Sequence, residues 1–150
     1  MIRDIEEKDR EIFIAMCEEF YSSTAVSHSV PKSHFERTFE VVTHNSPYYK
    51  GYMLEYEGKT VGYGLVQLSY SNEAGGMQMF LEELYIREGY RNKGLGKEFF
   101  ERVYASRDDV VRYRLEVTAV NERAISLYKR LGYENLDYVQ MIKDVDKDPQ

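Results

Sequence analysis

The chain has 150 residues, a length that suits a single domain able to bury about two thirds of the surface that its unfolded form exposes. Its 26 acidic and 20 basic side chains give a net charge of −6, which disfavours a nucleic-acid partner because phosphates are repelled. One cysteine excludes an internal disulfide, and no run reaches the ~18 continuous apolar residues of a membrane span. We therefore expect a soluble, cytoplasmic protein that forms one domain over residues 1–150 and has no membrane partner.

Hydrophobic periodicity predicts strands and helices in the order βααβββαβαβ. Strands are predicted at residues 2–5, 49–56, 60–70, 77–86, 113–118 and 138–142. Helices are predicted at residues 8–21, 31–42, 95–106 and 121–131, the second with a serine as N-cap. Cys17 lies on the apolar face of the first helix, which predicts a core position. Three consecutive strands with helices around them indicate an α+β fold with a mixed, mostly antiparallel sheet.

A glycine-containing turn separates the third long strand from the helix that begins at Leu95. Gly94 and Gly96 permit left-handed backbone angles and close approach, so that successive N–H groups and the positive helix end can face one phosphate group. Glu98 stands where a Walker loop needs Ser or Thr, and the third glycine of a dinucleotide fingerprint is absent, so neither motif is present. The turn by itself leaves two interpretations open, a phosphate-binding loop and an ordinary strand-to-helix connection.

A second pattern follows about thirty residues later, with an asparagine suited to an N-cap and a glycine at the end of the helix. With both patterns in this order, the chain resembles the GNAT superfamily of acyl-CoA N-acyltransferases. The family pattern Arg/Gln-x-x-Gly-x-Gly/Ala is matched by Arg91, Gly94 and Gly96. The family pattern Asn-x-x-Ala-x-x-x-Tyr-x-x-x-Gly-Tyr/Phe is matched by Asn121, Ala124, Tyr128, Gly132 and Tyr133.

The resemblance implies a GNAT-like sheet in which the fourth and fifth strands splay apart and acetyl-CoA lies in the notch. Its pyrophosphate would lie on the glycine turn, and its pantetheine arm would bond to the backbone of the fourth strand. The implied cofactor-binding residues are Leu84, Tyr85, Ile86, Arg91, Asn92, Lys93, Gly94, Leu95, Gly96, Lys97 and Asn121. The resemblance is also compatible with a homodimer, and it implies no metal.

Acyl transfer to an amine requires a base, because an alkylammonium of pKa ~10.4 is almost wholly protonated at pH 7. Glu82 and Glu83 lie on the strand that would border the thioester, and adjacent strand residues face opposite sides unless the strand is bulged. Some polyamine and diamine acetyltransferases of the family carry Leu-Glu-Asp-x-x-Val here, which makes Glu82 the first candidate and Glu83 the second. A solvent-facing charge is the alternative for each.

The departing thiolate requires a proton, and the family places a tyrosine acid where Tyr128 stands. A core tyrosine would fit the same pattern. Eight aromatic residues could line an acceptor pocket, although most are expected to serve as strand formers; they are Phe20, Tyr21, Tyr48, Tyr49, Tyr52, Tyr56, Tyr63 and Tyr70. The histidines show no metal-ligand spacing; they are His28, His34 and His44.

The sequence therefore predicts an N-acetyltransferase that acts in a ternary complex. The acceptor would be the primary amine of a small molecule, polyamine-like or amino-acid-like, or of a protein. The first alternative is a non-catalytic acyl-CoA-binding sensor on the same scaffold. A nucleic-acid-binding module is a third interpretation, disfavoured by the acidic balance.

Overall fold

A computed structural model describes residues 1–23, 26 and 29–145, so that His28 lies outside the described residues. The strands are β1 (Ile2–Asp4), β2 (Tyr49–Tyr56), β3 (Lys59–Ser71), β4 (Gly76–Ile86) and β5 (Val110–Leu115). The helices are α1 (Arg10–Tyr21), α2 (Lys32–Thr43), α3 (Leu95–Tyr104) and α4 (Glu122–Arg130). By its packing the chain forms two units, Met1–Glu116 and Val117–Gln150, which are described separately.

The first unit is built on a five-stranded sheet with the order β1-β2-β3-β4-β5. The first four strands run antiparallel, and β5 lies parallel to β4. The link between β2 and β3 is tight because Glu57 and Gly58 both adopt positive φ, at 49° and 78°. The mixed, mostly antiparallel α+β sheet predicted from the sequence is confirmed.

Helices cover both faces of this sheet. On one face, α1 and α2 pack Phe13 and Phe39 against each other, with ring centroids 5.8 Å apart, and against the strand residue Tyr63. On the other face, α3 packs Phe99 against Tyr52, 5.9 Å between centroids. Cys17 is buried in the α1 core as predicted, and burial raises the pKa of its thiol to about 12, so it stays protonated.

The pairing between β4 and β5 ends half-way along β4. Their paired residues run from Met77↔Val110 to Leu81↔Leu115, where β5 ends. Within the described residues, the partners of β4 beyond Leu81 lie in β3 alone. Residues 82–86 of β4 therefore have one edge without a strand partner in the described part of the chain, hereafter the free edge, which is the notch expected between the fourth and fifth strands.

The structure differs from the sequence prediction at several element boundaries. The first helix begins at Arg10, because Glu7–Asp9 forms a separate 3₁₀ turn, and α2 has Pro31 rather than a serine as N-cap. Strand β5 begins and ends three residues earlier than predicted. Residues 138–142, predicted as a last strand, form neither helix nor strand. Their alternating pattern is compatible with a strand, but a strand also needs a paired neighbour, and Val139 and Met141 remain about nine-tenths exposed.

The second unit contains α4, whose two ends follow the predicted capping pattern. The Asn121 side-chain oxygen accepts a hydrogen bond from the Ala124 N–H at 3.2 Å, which caps the first turn. Gly132 has φ of 92° just beyond the helix, where a left-handed residue ends it. Across the described residues, no helix combines the length and the apolar composition needed to cross a membrane.

Candidate active site

A β-bulge in β4 brings two carboxylates to the same face of the sheet. Leu65 of β3 pairs with Glu83, and Val66 pairs with Leu81, so Glu82 is the extra residue between them. Leu65 belongs to the core beneath α1 and α2, and Glu83 opposite it shares that face. Tyr49 packs against the same core and its hydroxyl donates to Glu82. Glu82 and Glu83 therefore both point toward the α1/α2 side.

Glu83 lies between two tyrosines. The fully buried Tyr63 donates its hydroxyl to one carboxylate oxygen at 2.7 Å, and the Tyr21 hydroxyl of α1 donates to the other. Burial raises the pKa of Glu83, while the two tyrosine hydrogen bonds oppose that rise and the charge of Glu82 adds to it. Burial first, and after it the hydrogen bonds to Glu83 and the charge of Glu83, also raise the pKa of Tyr21 and Tyr63, so both phenols are protonated donors at neutral pH.

Glu82 occupies a more open position than Glu83. Its side chain is exposed, and one of its oxygens accepts the hydrogen bond from Tyr49, the first residue of β2. Burial and the charge of Glu82 raise the pKa of Tyr49, which keeps this phenol protonated as well. An exposed carboxylate next to a half-buried one can accept a proton from a group that arrives from solvent.

The glycine turn has the backbone geometry of an anion-binding loop. Asn92 and Gly94 adopt left-handed φ of 60° and 85°, and Gly94 is the N-cap of α3. The first helical bond runs from the Glu98 N–H to the Gly94 carbonyl at 3.0 Å. The N–H groups of the preceding turn of α3 have no partner within the helix and carry its positive end. They are available to a phosphate group.

The cations of this turn have different neighbours. Arg91 Nε donates to the Ile86 carbonyl at 2.8 Å, which ties the turn to the end of β4. The Lys93 ammonium lies 5.3 Å from the centroid of the Tyr56 ring, and Lys97 pairs with Glu101 at 3.7 Å on the exposed face of α3. A phosphate at the turn would therefore meet main-chain donors first and side-chain cations around them.

The backbone of β4 supplies further donors and acceptors at the notch. The Arg87 N–H bonds to the Val61 carbonyl of β3 at 2.9 Å. Because alternate residues of a strand turn their N–H and C=O to opposite edges, Leu84 and Ile86 turn theirs away from β3. The Leu84 side chain is the nearest contact of Gly96, 3.9 Å from an ideal Cβ there. The turn and the free edge of β4 thus adjoin each other.

Tyr128 and Asn121 belong to the second unit. Tyr128 is half-buried on α4, where its ring lies 6.0 Å from that of Tyr133, and burial raises its pKa. The phenol is therefore a proton donor at neutral pH. The Asn121 side chain is engaged as the N-cap of α4.

An open groove of about 480 Å³ lies beside the carboxylates and was not anticipated from the sequence. Its lining residues come from α2 and the start of β2; they are His34, Arg37, Thr38, Val41, Tyr48 and Tyr49. The spacing of the four helix residues places them on one face, a regularity that was available in the sequence. Of the eight aromatic residues predicted as pocket candidates, Tyr21, Tyr49 and Tyr63 contact a carboxylate, whereas Tyr52 is buried against Phe99. In the described ranges, no group of three or more His, Cys, Asp or Glu side chains is arranged to hold a metal ion.

Comparison with known proteins connects this geometry to a family. The sequence model of the Acetyltransferase (GNAT) family matches residues 10–133. Thialysine N-epsilon-acetyltransferase of Bos taurus is 38% identical over 78 residues, which cover 51% of this chain and 45% of that protein. Spermine/spermidine N(1)-acetyltransferase of Bacillus subtilis (strain 168) is 30% identical over 92 residues, 58% of this chain and 60% of that protein. The chain thus spans less than two thirds of either relative.

A solved structure supports the same fold over nearly the whole chain. The aminoglycoside N-acetyltransferase AAC(6')-Iy in complex with CoA has a TM-score of 0.76 to this chain at 13% identity. The match covers 96% of this chain and 93% of that one. At this identity the likeness concerns the fold.

Proposed function

Because the chain belongs to the acetyltransferase (GNAT) family, we propose that it transfers an acetyl group from acetyl-CoA to a primary amine. The observation that carries the proposal is the anion-binding turn at the start of α3 beside the free edge of β4. The acceptor is a small molecule or a protein amine, and the reaction is a direct attack with both substrates bound.

Acetyl-CoA fits the residues of the first unit. The pyrophosphate would accept hydrogen bonds from main-chain N–H groups of residues 94–97, where Gly94 leaves the space within 4 Å of an ideal Cβ open. Arg91, Asn92 and Lys93 surround this turn, and the pantetheine arm would bond to the backbone of Leu84 and Ile86. Tyr85 between them is a neighbour rather than a donor at this edge, and the role of Asn121 rests on the family pattern alone.

Glu82 is our candidate for the base that deprotonates the acceptor. Its exposed carboxylate can take the ammonium proton directly or through water, and the neutral nitrogen then attacks the thioester carbonyl carbon. The C–N bond forms, the C–S bond breaks, and the thiolate takes a proton that we assign to Tyr128. Glu83, whose two oxygens already accept from Tyr63 and Tyr21, is the second candidate and otherwise attracts the ammonium group.

Polyamine-like and amino-acid-like acceptors are both compatible with two adjacent carboxylates lined by tyrosines. The names of the two relatives, one acting on thialysine and one on spermine and spermidine, support that range. Neither relative decides between the classes for this chain.

The test is a thiol-release assay with acetyl-CoA and a panel of polyamines, amino acids, aminoglycosides and peptides, beside calorimetric titration of acetyl-CoA. We expect binding and amine-dependent thiol release. Binding without release across the panel would favour the acyl-CoA sensor. No heat on titration into folded protein would reject both.

A further inference from the structure

The groove beside the carboxylates, hereafter the α2 groove, has the size of a small-molecule site. Its volume of about 480 Å³ falls in the usual range for such sites, ~300–1,000 Å³. The helix wall follows the spacing i, i+3, i+4 and i+7 along α2, and the opposite wall is formed by Tyr48 and Tyr49. The same helix buries Phe35 and Phe39 on its other side, so the groove wall is held by the core.

The polar groups that line the α2 groove include a cation. Of the described residues that line it none is acidic, whereas Arg37 offers a guanidinium and His34 an imidazole. Among the described residues Arg37 takes part in no ion pair, unlike Arg10 on α1, which pairs with Glu40. The Thr38 hydroxyl proton is already used on the His34 carbonyl at 2.9 Å. Arg37 is therefore the strongest donor left at this wall.

Tyr49 links the α2 groove to the carboxylates. Tyr49 lines the groove, and its hydroxyl donates a hydrogen bond to Glu82 at the bulge of β4. An acceptor that lies along this tyrosine meets a negative group at one end and a positive group at the other. A compound with an ammonium group and a carboxylate at opposite ends matches that order of charges.

We propose that the α2 groove binds the carboxylate of the acceptor through Arg37 and His34, so that the substrate is a diamino acid acylated on the amine remote from its carboxylate. The aromatic faces of Tyr48 and Tyr49 would receive the α-ammonium group. This inference rests on the proposed acetyl transfer, and it selects amino-acid-like over polyamine-like acceptors.

The decisive experiment compares lysine with 1,5-diaminopentane, which is the same molecule without the carboxylate. With the full chain and saturating acetyl-CoA, we expect kcat/KM for lysine to exceed that for the diamine by ten-fold or more, the usual effect of a charge-assisted hydrogen bond. Mass spectrometry of the product should find the acetyl group on the ε-nitrogen.

Matched variants assign the effect to the α2 groove. Arg37→Gln should lower kcat/KM for lysine about ten-fold or more. The value of kcat/KM for the diamine should change by less than about three-fold, because the diamine has no carboxylate that Arg37 could bind. Lys32→Gln removes the same charge from the same helix at a residue outside the groove and should change neither value. Both sites are exposed, and circular dichroism checks that α2 is intact.

The possible outcomes separate this inference from the proposed function. Three results would overturn the groove assignment and leave acetyl transfer standing. They are equal kcat/KM for the two acceptors with the unaltered protein, acetylation of other amines but of neither lysine nor the diamine, and an equal loss of kcat/KM for both acceptors with Arg37→Gln. Absence of thiol release with every amine would remove both.

Discussion

Glu82 and Glu83 are neighbours in sequence with different surroundings. Glu82 is exposed and accepts from Tyr49, whereas Glu83 is enclosed by Tyr21 and Tyr63. Burial raises the pKa of Glu83. A rate that required the ionised form of Glu83 would therefore begin to fall, as the pH is lowered, at a pH above the ordinary glutamate pKa of ~4.3. Removal of each side chain distinguishes their roles, and a role for Glu83 would also show in the pH dependence of the rate.

Glu82→Gln should lower kcat/KM for the amine by about 10²- to 10⁴-fold near neutral pH, because an amide cannot accept the ammonium proton. Glu83→Gln keeps an oxygen that can accept from one of the two tyrosines, and it should lower kcat/KM by a smaller factor. Steady-state rates from pH 5 to 9 measure both effects. A larger loss for Glu83→Gln would transfer the role of base to Glu83.

Tyr128→Phe tests the proposed acid. The change removes the phenolic proton and should lower kcat by ten-fold or more, while the affinity for acetyl-CoA measured by calorimetry stays nearly constant. Tyr133→Phe, at the ring packed against Tyr128, is the control. Unaltered kcat at saturating substrates would exclude Tyr128 from the chemistry.

At the scale of elements, close packing between α3 and the sheet determines where glycine is needed. An ideal Cβ on Gly64 would lie 2.2 Å from a ring carbon of Phe99, so β3 passes directly beneath that ring. At Gly96 the nearest atom lies 3.9 Å away, which is ordinary contact. Glycine is thus required for packing at Gly64, whereas the space at Gly96 also admits alanine.

Gly96→Ala should separate these two uses. It meets no clash and should change the free energy of unfolding by no more than about 1 kcal/mol, on the stabilising side, since alanine favours a helix. Acetyl-CoA affinity should stay nearly unchanged, because the family pattern accepts alanine at this position and the N–H group is kept. Chemical denaturation and calorimetry measure the two effects. Gly94→Ala, at a φ of 85°, should lower the affinity instead, and unchanged affinity in that variant would contradict a phosphate at this turn.

Gly64→Ala should destabilise the protein by about 1–3 kcal/mol, as overpacking of a core does. A double variant with Phe99→Leu should recover part of that loss, because a smaller side chain makes room for the new methyl group. A double-mutant cycle from urea denaturation gives the coupling. Strictly additive effects would mean that the two residues do not meet.

At the scale of the whole molecule, the two units differ in whether they have a hydrophobic core that could support folding alone. All the core residues under α1 and α2 lie within Met1–Glu116. The unit Val117–Gln150 is shorter than the ~40 residues that usually fold without a disulfide, a metal or a partner, and among its described residues none is buried.

Scanning calorimetry should therefore record one unfolding transition for the full chain, because the short unit cannot supply a second cooperative transition of its own. Agreement between the calorimetric and van't Hoff enthalpies is the quantitative criterion. A second, separate transition would contradict the proposed single domain over residues 1–150.

Much of this fold was predictable because it depends on local order. The period of apolar residues identifies α1 to α4 and β1 to β5, and the capping residues Asn121 and Gly132 follow from local backbone geometry. The left-handed angle predicted at the glycine turn is confirmed at Gly94, whereas Gly96 lies within α3 and has no positive φ. The strand predicted at residues 138–142 is absent, because strand formation also requires a neighbouring strand edge to pair with.

The sequence by itself determined the element types, the capped helices and the family patterns, since each depends on residues close together along the chain. Only the tertiary structure decided that Glu82 and Glu83 share one face, because the bulge arises from the register between β3 and β4. It also decided which tyrosines meet Glu83 and that Arg37 faces the groove wall of Tyr49. Those contacts join residues from separate elements, and no local pattern encodes the distance between them.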